Sequence, residues 1–126
     1  MAEFTETYHA GAFILSEANG NRSRDNIIIS SGCGVVLAGT VVGRHTVGGK
    51  WSPSPASFST DSGGSEVGKG ITIQQVDATS ADVAVAAITR NAEVNKYLLT
   101  YHSSVLTTDG MEDKNDELAT FGIIVR

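Results

Sequence analysis

The sequence predicts a mainly β fold of short strands with one helix near the C-terminus. Three observations carry that prediction. Charged residues make up only 18% of the chain, below the ~25% usual for globular domains. Ser, Thr and 14 Gly take their place, a mixture suited to strands and tight turns rather than long solvated helices. The apolar runs, such as Ile27-Ile28-Ile29 and Val35-Val36-Leu37, are short and bounded by Gly, Asn or Ser, as strands are. The clearest helix follows Asp109, where Asp109 and Glu112 fit a capping box and Met111, Leu118 and Phe121 share one helical face.

In chain order, Met1 to Ala12 is polar and alternates Phe4, Glu6 and Tyr8 with Thr5, Thr7 and His9; without a neighbour to pair with, it reads as a frayed terminus with strand-forming residues. Phe13-Ile14-Leu15 begins the ordered domain, and Asn19-Gly20 marks a turn. Ile27 to Ile29 is a strand. Val35 to Gly43 forms two strand-like pieces broken at Gly39, and Val47-Gly48-Gly49-Lys50-Trp51 reads as a hairpin tip with an aromatic on the returning strand. Ser52 to Gly70, rich in Ser, Gly and Pro, reads as one long surface loop. Ile71 to Val76 alternates as a strand, and Asp77 to Ser80 is a turn.

Val83 to Arg90 supports two readings. Thr79 and Asp82 could cap a helix favoured by the alanines, whereas the alternation of Val83, Val85 and Ala87 with Ala84, Ala86 and Ile88 fits a strand buried on both faces; the strand is favoured. Glu93 to Asn95 and Tyr97 to Tyr101 add an extended piece. Gly122 ends the helix and Ile123-Ile124-Val125 forms a closing strand.

At 126 residues, the chain fits a single domain with a core that needs no disulfide or metal. Its net charge of −5 argues against nucleic acid and anionic membrane surfaces as partners, because phosphate binding requires a basic face. Cys33 is the only cysteine, so no internal disulfide can form. The start Met-Ala-Glu-Phe-Thr-Glu has acids where a secretory signal carries a basic end and an apolar run. No stretch reaches the ~18 apolar residues of a membrane span. The expectation is a protein made and kept in a cytosol-like compartment.

Few residues point to chemistry. Gly63-Gly64-Ser65-Glu66-Val67-Gly68-Lys69 has the spacing of a phosphate-binding loop, but Gly70 stands where a hydroxyl would hold magnesium, and the loop runs into a strand instead of a helix. Cys33 lies between two glycines, without a nearby histidine to activate it. These two features are the motivation for an alternative reading as a small trimeric β enzyme, nucleotide hydrolase-like, with an intersubunit site. His9, His45 and His102 are isolated, and the acids between Asp109 and Glu117 space as a solvated helix face. Trp51 and Phe58 motivate a further alternative, a glycan-binding appendage. No catalytic or metal-ligating set and no cofactor is expected.

The run from Gly11 to Asn26, Gly-Ala-Phe-Ile-Leu-Ser-Glu-Ala-Asn-Gly-Asn-Arg-Ser-Arg-Asp-Asn, resembles the opening signature of the bacteriophage head decoration proteins of the lambda D type. Val41-Val42-Gly43, Asp77-Ala78-Thr79, Arg90 to Asn95 and the ending Phe121 to Arg126 match later features of that family in order. The chain departs from it over Leu98 to Ser104, where relatives often carry a Trp-Pro type segment and this sequence has Tyr101-His102-Ser103-Ser104.

The resemblance implies a small β-clip-like barrel with one C-terminal helix, assembled as a homotrimer. It implies a structural, non-catalytic virion protein on the outer capsid surface, made in the host bacterial cytoplasm. Such a trimer sits at local threefold sites of the mature head and cements neighbouring copies of the major capsid protein. Residues 1–12 would then be a flexible capsid-binding arm, with Phe4, Thr5, Glu6, Thr7, Tyr8 and His9 as its contacts, and 13–126 the decoration domain. Arg22, Arg24 and Trp51 are the candidate capsid or trimer contacts on the body.

Overall fold

A computed structural model describes residues 9–20, 22–57 and 63–126. The described residues form ten strands and one C-terminal α-helix. The strands are β1 (Ile14–Glu17), β2 (Arg24–Ile29), β3 (Gly34–Val36), β4 (Val41–Arg44) and β5 (Trp51–Pro53), followed by β6 (Gly70–Thr72), β7 (Val76–Ala78), β8 (Val83–Ile88), β9 (Ala92–Val94) and β10 (Ile123–Val125). The helix α1 spans Thr108–Ala119.

Strands β2-β5-β4-β6-β8 close into a five-stranded barrel. Its longest seam pairs β2 with β8 in antiparallel register from Arg24↔Ile88 to Ile29↔Val83, so Val83 to Ile88 is a strand, as the alternation favours. A three-stranded sheet, β1-β9-β10, and a two-stranded ribbon, β3-β7, complete the fold. Strand β9 is central in its sheet, antiparallel to β1 and parallel to β10.

There are two cores, and the pleat explains why. Successive side chains of a strand point to opposite faces, so Val41 and Val42 of β4 are buried in different clusters. Val42 joins Ile27, Ile29, Val85 and Ala87 with Val36 and Ala78 of the ribbon, as expected when side chains fill a small barrel. Val41 joins Phe13, Ile71, Ile88, Val94, Leu118 and Ile123, where barrel, sheet and helix meet. In β2 the alternation is plain: Ile27 and Ile29 are buried and Ile28 is exposed.

Several sequence expectations need correction. Ile71 to Val76 is two strands, because the chain bends after Thr72: the Ile73 N–H donates to the Ala86 carbonyl (3.0 Å) and its own carbonyl accepts from Gly11 N–H (3.0 Å). Asp77 and Ala78 belong to β7, and the turn begins at Thr79. Lys96–Leu98 forms a 3-10 turn where an extended piece is expected, and only Thr100 makes a strand-like bridge, to Thr40. The helix is capped by Thr107, whose hydroxyl accepts from Gly110 N–H at 3.1 Å. Asp109 thus falls in the first turn, where its charge favours the helix dipole, and is not the cap. Gly122 follows the helix with φ 84°, a left-handed conformation that suits glycine and ends it. Phe121 lies beyond the helix, 39% exposed.

The stretch from Ser52 to Gly70 is not one surface loop. Ser52 and Pro53 are in β5 and Gly70 is in β6, while Ser54 and Ser65 are buried. Residues 63–69 lie against the helix because their polar groups find partners there. Gly68 N–H donates to Glu117 Oε2 at 2.6 Å. The buried Lys114 ammonium donates to the Glu66 carbonyl and lies 3.4 Å from Glu117 Oε2. Removing Lys114 takes the donor from a part-buried carbonyl and the counter-charge from a carboxylate. Lys114→Met should therefore lower stability by about 2 kcal/mol, read as a shift in the urea midpoint, with faster proteolysis at residues 63–69.

Candidate functional site

The N-terminal segment joins the body at a hydrogen-bonded turn. Ala12 N–H donates to the His9 carbonyl (3.1 Å), Ile14 N–H to that of Gly11 (3.1 Å), and Gly11 N–H to that of Ile73 (3.0 Å). The chain then enters β1, an edge strand of the three-stranded sheet. The row Ser16–Glu93–Ile124 crosses this sheet, with Ile124 exposed and Leu15 beside Ser16 more than half exposed. A sheet with Leu15 and Ile124 exposed thus adjoins the turn at residues 9–12. Of the proposed arm contacts, Phe4, Thr5, Glu6, Thr7 and Tyr8 lie outside the described residues; His9 is exposed at the root.

The candidate contacts on the body separate into two places. Arg24 grips Glu17 with two donors, Nε to Oε2 at 3.0 Å and Nη2 to Oε1 at 2.6 Å. The buried Ser23 hydroxyl donates to the same carboxylate at 2.6 Å. The Arg24 bonds, and then that of Ser23, hold the Glu17 carboxyl below its usual pKa. Arg22 is exposed, and its carbonyl accepts from Arg90 Nη1 at 2.7 Å, while Arg90 also pairs with Asp25. Trp51 pairs with Ile29 at the other end of β2, about 16 Å from Arg24 at the strand rise of ~3.3 Å per residue. It is half-buried and packs on the barrel core.

A depressed carboxylate contributes stability that is present above its unfolded pKa and lost as pH falls through its folded pKa. Glu17→Gln should therefore be less stable than the parent by about 1 kcal/mol at pH 7, with the difference closing below about pH 4. Urea midpoints at neutral and acid pH measure this.

The features that motivate an enzyme do not assemble a site. Burial, followed by the nearby charge of Asp82, pushes the Cys33 thiol up, away from the reactive thiolate. In the phosphate-loop lookalike, Gly64 N–H donates to Glu66 Oε2 (2.7 Å), Gly68 N–H to Glu117 Oε2 and Lys69 N–H to the Val42 carbonyl (2.9 Å). Its donors face carboxylates and backbone of the same chain, which repel or replace a phosphate. His45 and His102 pair with different serines, Ser52 and Ser104. Among the described residues no group of His, Cys, Asp or Glu converges to hold a metal ion, and no helix is long and apolar enough to cross a membrane. The link from Lys114 to Glu66 was hidden from sequence because the partners are 48 residues apart; the one local signal was a lysine between Met111 and Leu118 on an otherwise apolar face.

Fold and surface define a small β-barrel protein whose salt bridges tie strands, loops and helix together and whose three-stranded sheet carries the exposed side chains of Leu15 and Ile124. The chain belongs to the bacteriophage lambda head decoration protein D family, whose model matches residues 3–123. Its role is accordingly a structural one on the phage capsid. Comparison with curated proteins gave no match.

Proposed function

We propose that the protein binds the outer surface of the mature head as a homotrimer, sits at local threefold positions and cements adjacent copies of the major capsid protein. The family match over residues 3–123, which includes most of the arm, is the observation that carries this reading. Residues 1–12 engage the capsid by adding a strand to it, with backbone hydrogen bonds supplying affinity and Phe4 and Tyr8 anchoring one face. Ordering a terminal segment is costly, so one arm alone binds weakly. Three arms on one trimer act together after the first has bound, raising avidity by roughly 10² to 10⁴ where their spacing matches the shell.

This arithmetic makes binding sensitive to the state of the shell. An unexpanded head with different spacing loses the avidity without any change in the decoration protein. The acidic net charge of −5 suits a protein outside a DNA-filled shell, assembled in the bacterial cytoplasm, with neither nucleic acid nor membrane as partner. Co-sedimentation of the full chain with expanded and unexpanded heads tests the reading. Saturable binding to expanded heads alone is expected; equal binding to both would contradict the dependence on spacing.

A further inference from the structure

One cavity is not used by any of these contacts. Its volume is about 270 Å³, and it lies between α1 and the 3-10 turn. Thr108, Met111, Glu112 and Asn115 line it from one stripe of the helix, since residues three and four apart share a face. The adjacent stripe, Lys114 and Leu118, is buried in the body. Across the groove stand Lys96, Tyr97 and Tyr101. Tyr97 is 76% exposed, with the Lys96 ammonium 5.2 Å from its ring centroid. Tyr101 is half-buried, and its hydroxyl donates to Asn115 Oδ1 at 2.7 Å.

The lining restricts the ligand by charge and polarity. An anion would meet Glu112 and the acidic helix that also carries Asp109, Asp113 and Asp116. A cation would meet the Lys96 ammonium already placed at the Tyr97 ring. A hydrocarbon would desolvate Lys96, Thr108, Glu112 and Asn115 without giving them hydrogen bonds, which is unfavourable. What remains is a neutral molecule with an apolar face for the tyrosines and Met111 and hydroxyl groups for the polar side chains. The volume falls at the small end of ligand pockets, which start near ~300 Å³, and so fits a single ring. We propose that this groove is a binding site for one neutral sugar ring, stacked on the tyrosine side and hydrogen-bonded to the helix side.

This assignment is independent of capsid attachment and moves the carbohydrate reading away from Trp51, which packs on the barrel core, and from Phe58, which lies outside the described residues. A ligand of about a dozen heavy atoms at the usual ligand efficiency gives a Kd of about 1 mM. Saturation-transfer NMR of the full chain with methyl glycosides of glucose, galactose, mannose and N-acetylglucosamine tests it. At least one should bind saturably in the millimolar range, with about tenfold weakening in Tyr97→Ala and affinity retained in Tyr97→Phe. The exposure of Tyr97 makes both variants compatible with folding, to be verified by circular dichroism. The proposal is overturned if none of the glycosides binds at tenfold above that Kd, or if binding is unchanged in Tyr97→Ala. It is equally overturned if Tyr97→Ala alters only the oligomeric state, which would make the groove an interface between copies.

Discussion

Gly43→Ala is expected to destabilise the protein by about 3 kcal/mol or more, lowering the melting temperature by roughly 10 °C or more. Gly43 is in the middle of β4, and the 63–69 segment crosses directly over it. A Cβ there would lie 2.1 Å from the Ser65 carbonyl oxygen and 2.6 Å from that of Val67. Both obstacles are backbone, so no side-chain rotation relieves the clash. The segment would have to lift, and its attachments would go with it: Lys69 N–H to the Val42 carbonyl, Gly68 N–H to Glu117 and Glu66 to Lys114. Gly48→Ala is the comparison. At the hairpin tip nothing stands within 4 Å of the added carbon, so only the left-handed backbone penalty of about 1–2 kcal/mol applies. Thermal melts of the two variants measure the difference. Equal losses would mean that the 63–69 segment does not bear on β4 as described.

Deletion of residues 1–8 should leave the body folded and weaken binding to expanded heads by roughly 100-fold or more. The cut spares the turn that ties the chain down, since His9, Gly11 and Ala12 keep their bonds to one another and to Ile73. A single substitution such as Phe4→Ala, repeated in three arms, is expected to fall between parent and deletion. Circular dichroism checks the fold and quantitative co-sedimentation the affinity. A truncated chain that decorates heads as tightly as the full one would remove the arm from the proposal and shift attention to the exposed apolar residues of the β1-β9-β10 sheet.

The parts of the fold legible in the sequence are those where local pattern and tertiary partner agree. Ile27 to Ile29 and Ile123 to Val125 are β-branched runs with turn residues at their ends, and they are strands. Val83 to Ile88 was open between helix and strand because small alanines fit either. The barrel decides it by supplying β2 on one side and β6 on the other. Where one partner is distant, local pattern misleads. The alternation of Ile71 to Val76 continues through a bend that exists because Ile73 bonds to Ala86 and Gly11. A stretch rich in Ser, Gly and Pro looks solvated, yet Ser65 is buried because Glu117 and Lys114 anchor its neighbours from the helix.

The functional surface was less legible than the fold. The signature from Gly11 to Asn26 leads to the right family, and Arg24 within it has a clear structural task in holding Glu17 at the end of β1. No local pattern marks the groove beside Tyr97, because three chain segments form it: the 3-10 turn, Tyr101 and one stripe of α1.

Capping of the threefold positions of an expanded head by this chain can be seen in an electron cryomicroscopy map of mature particles, compared with a map of particles assembled without the protein. The proposal predicts trimeric density on the outer surface at the local threefold positions of the first map, fitted by the barrel and joined to the capsid at the N-terminal end of each copy, and bare positions in the second. Density at other symmetry positions, or monomers joined to the shell through the barrel alone, would contradict it.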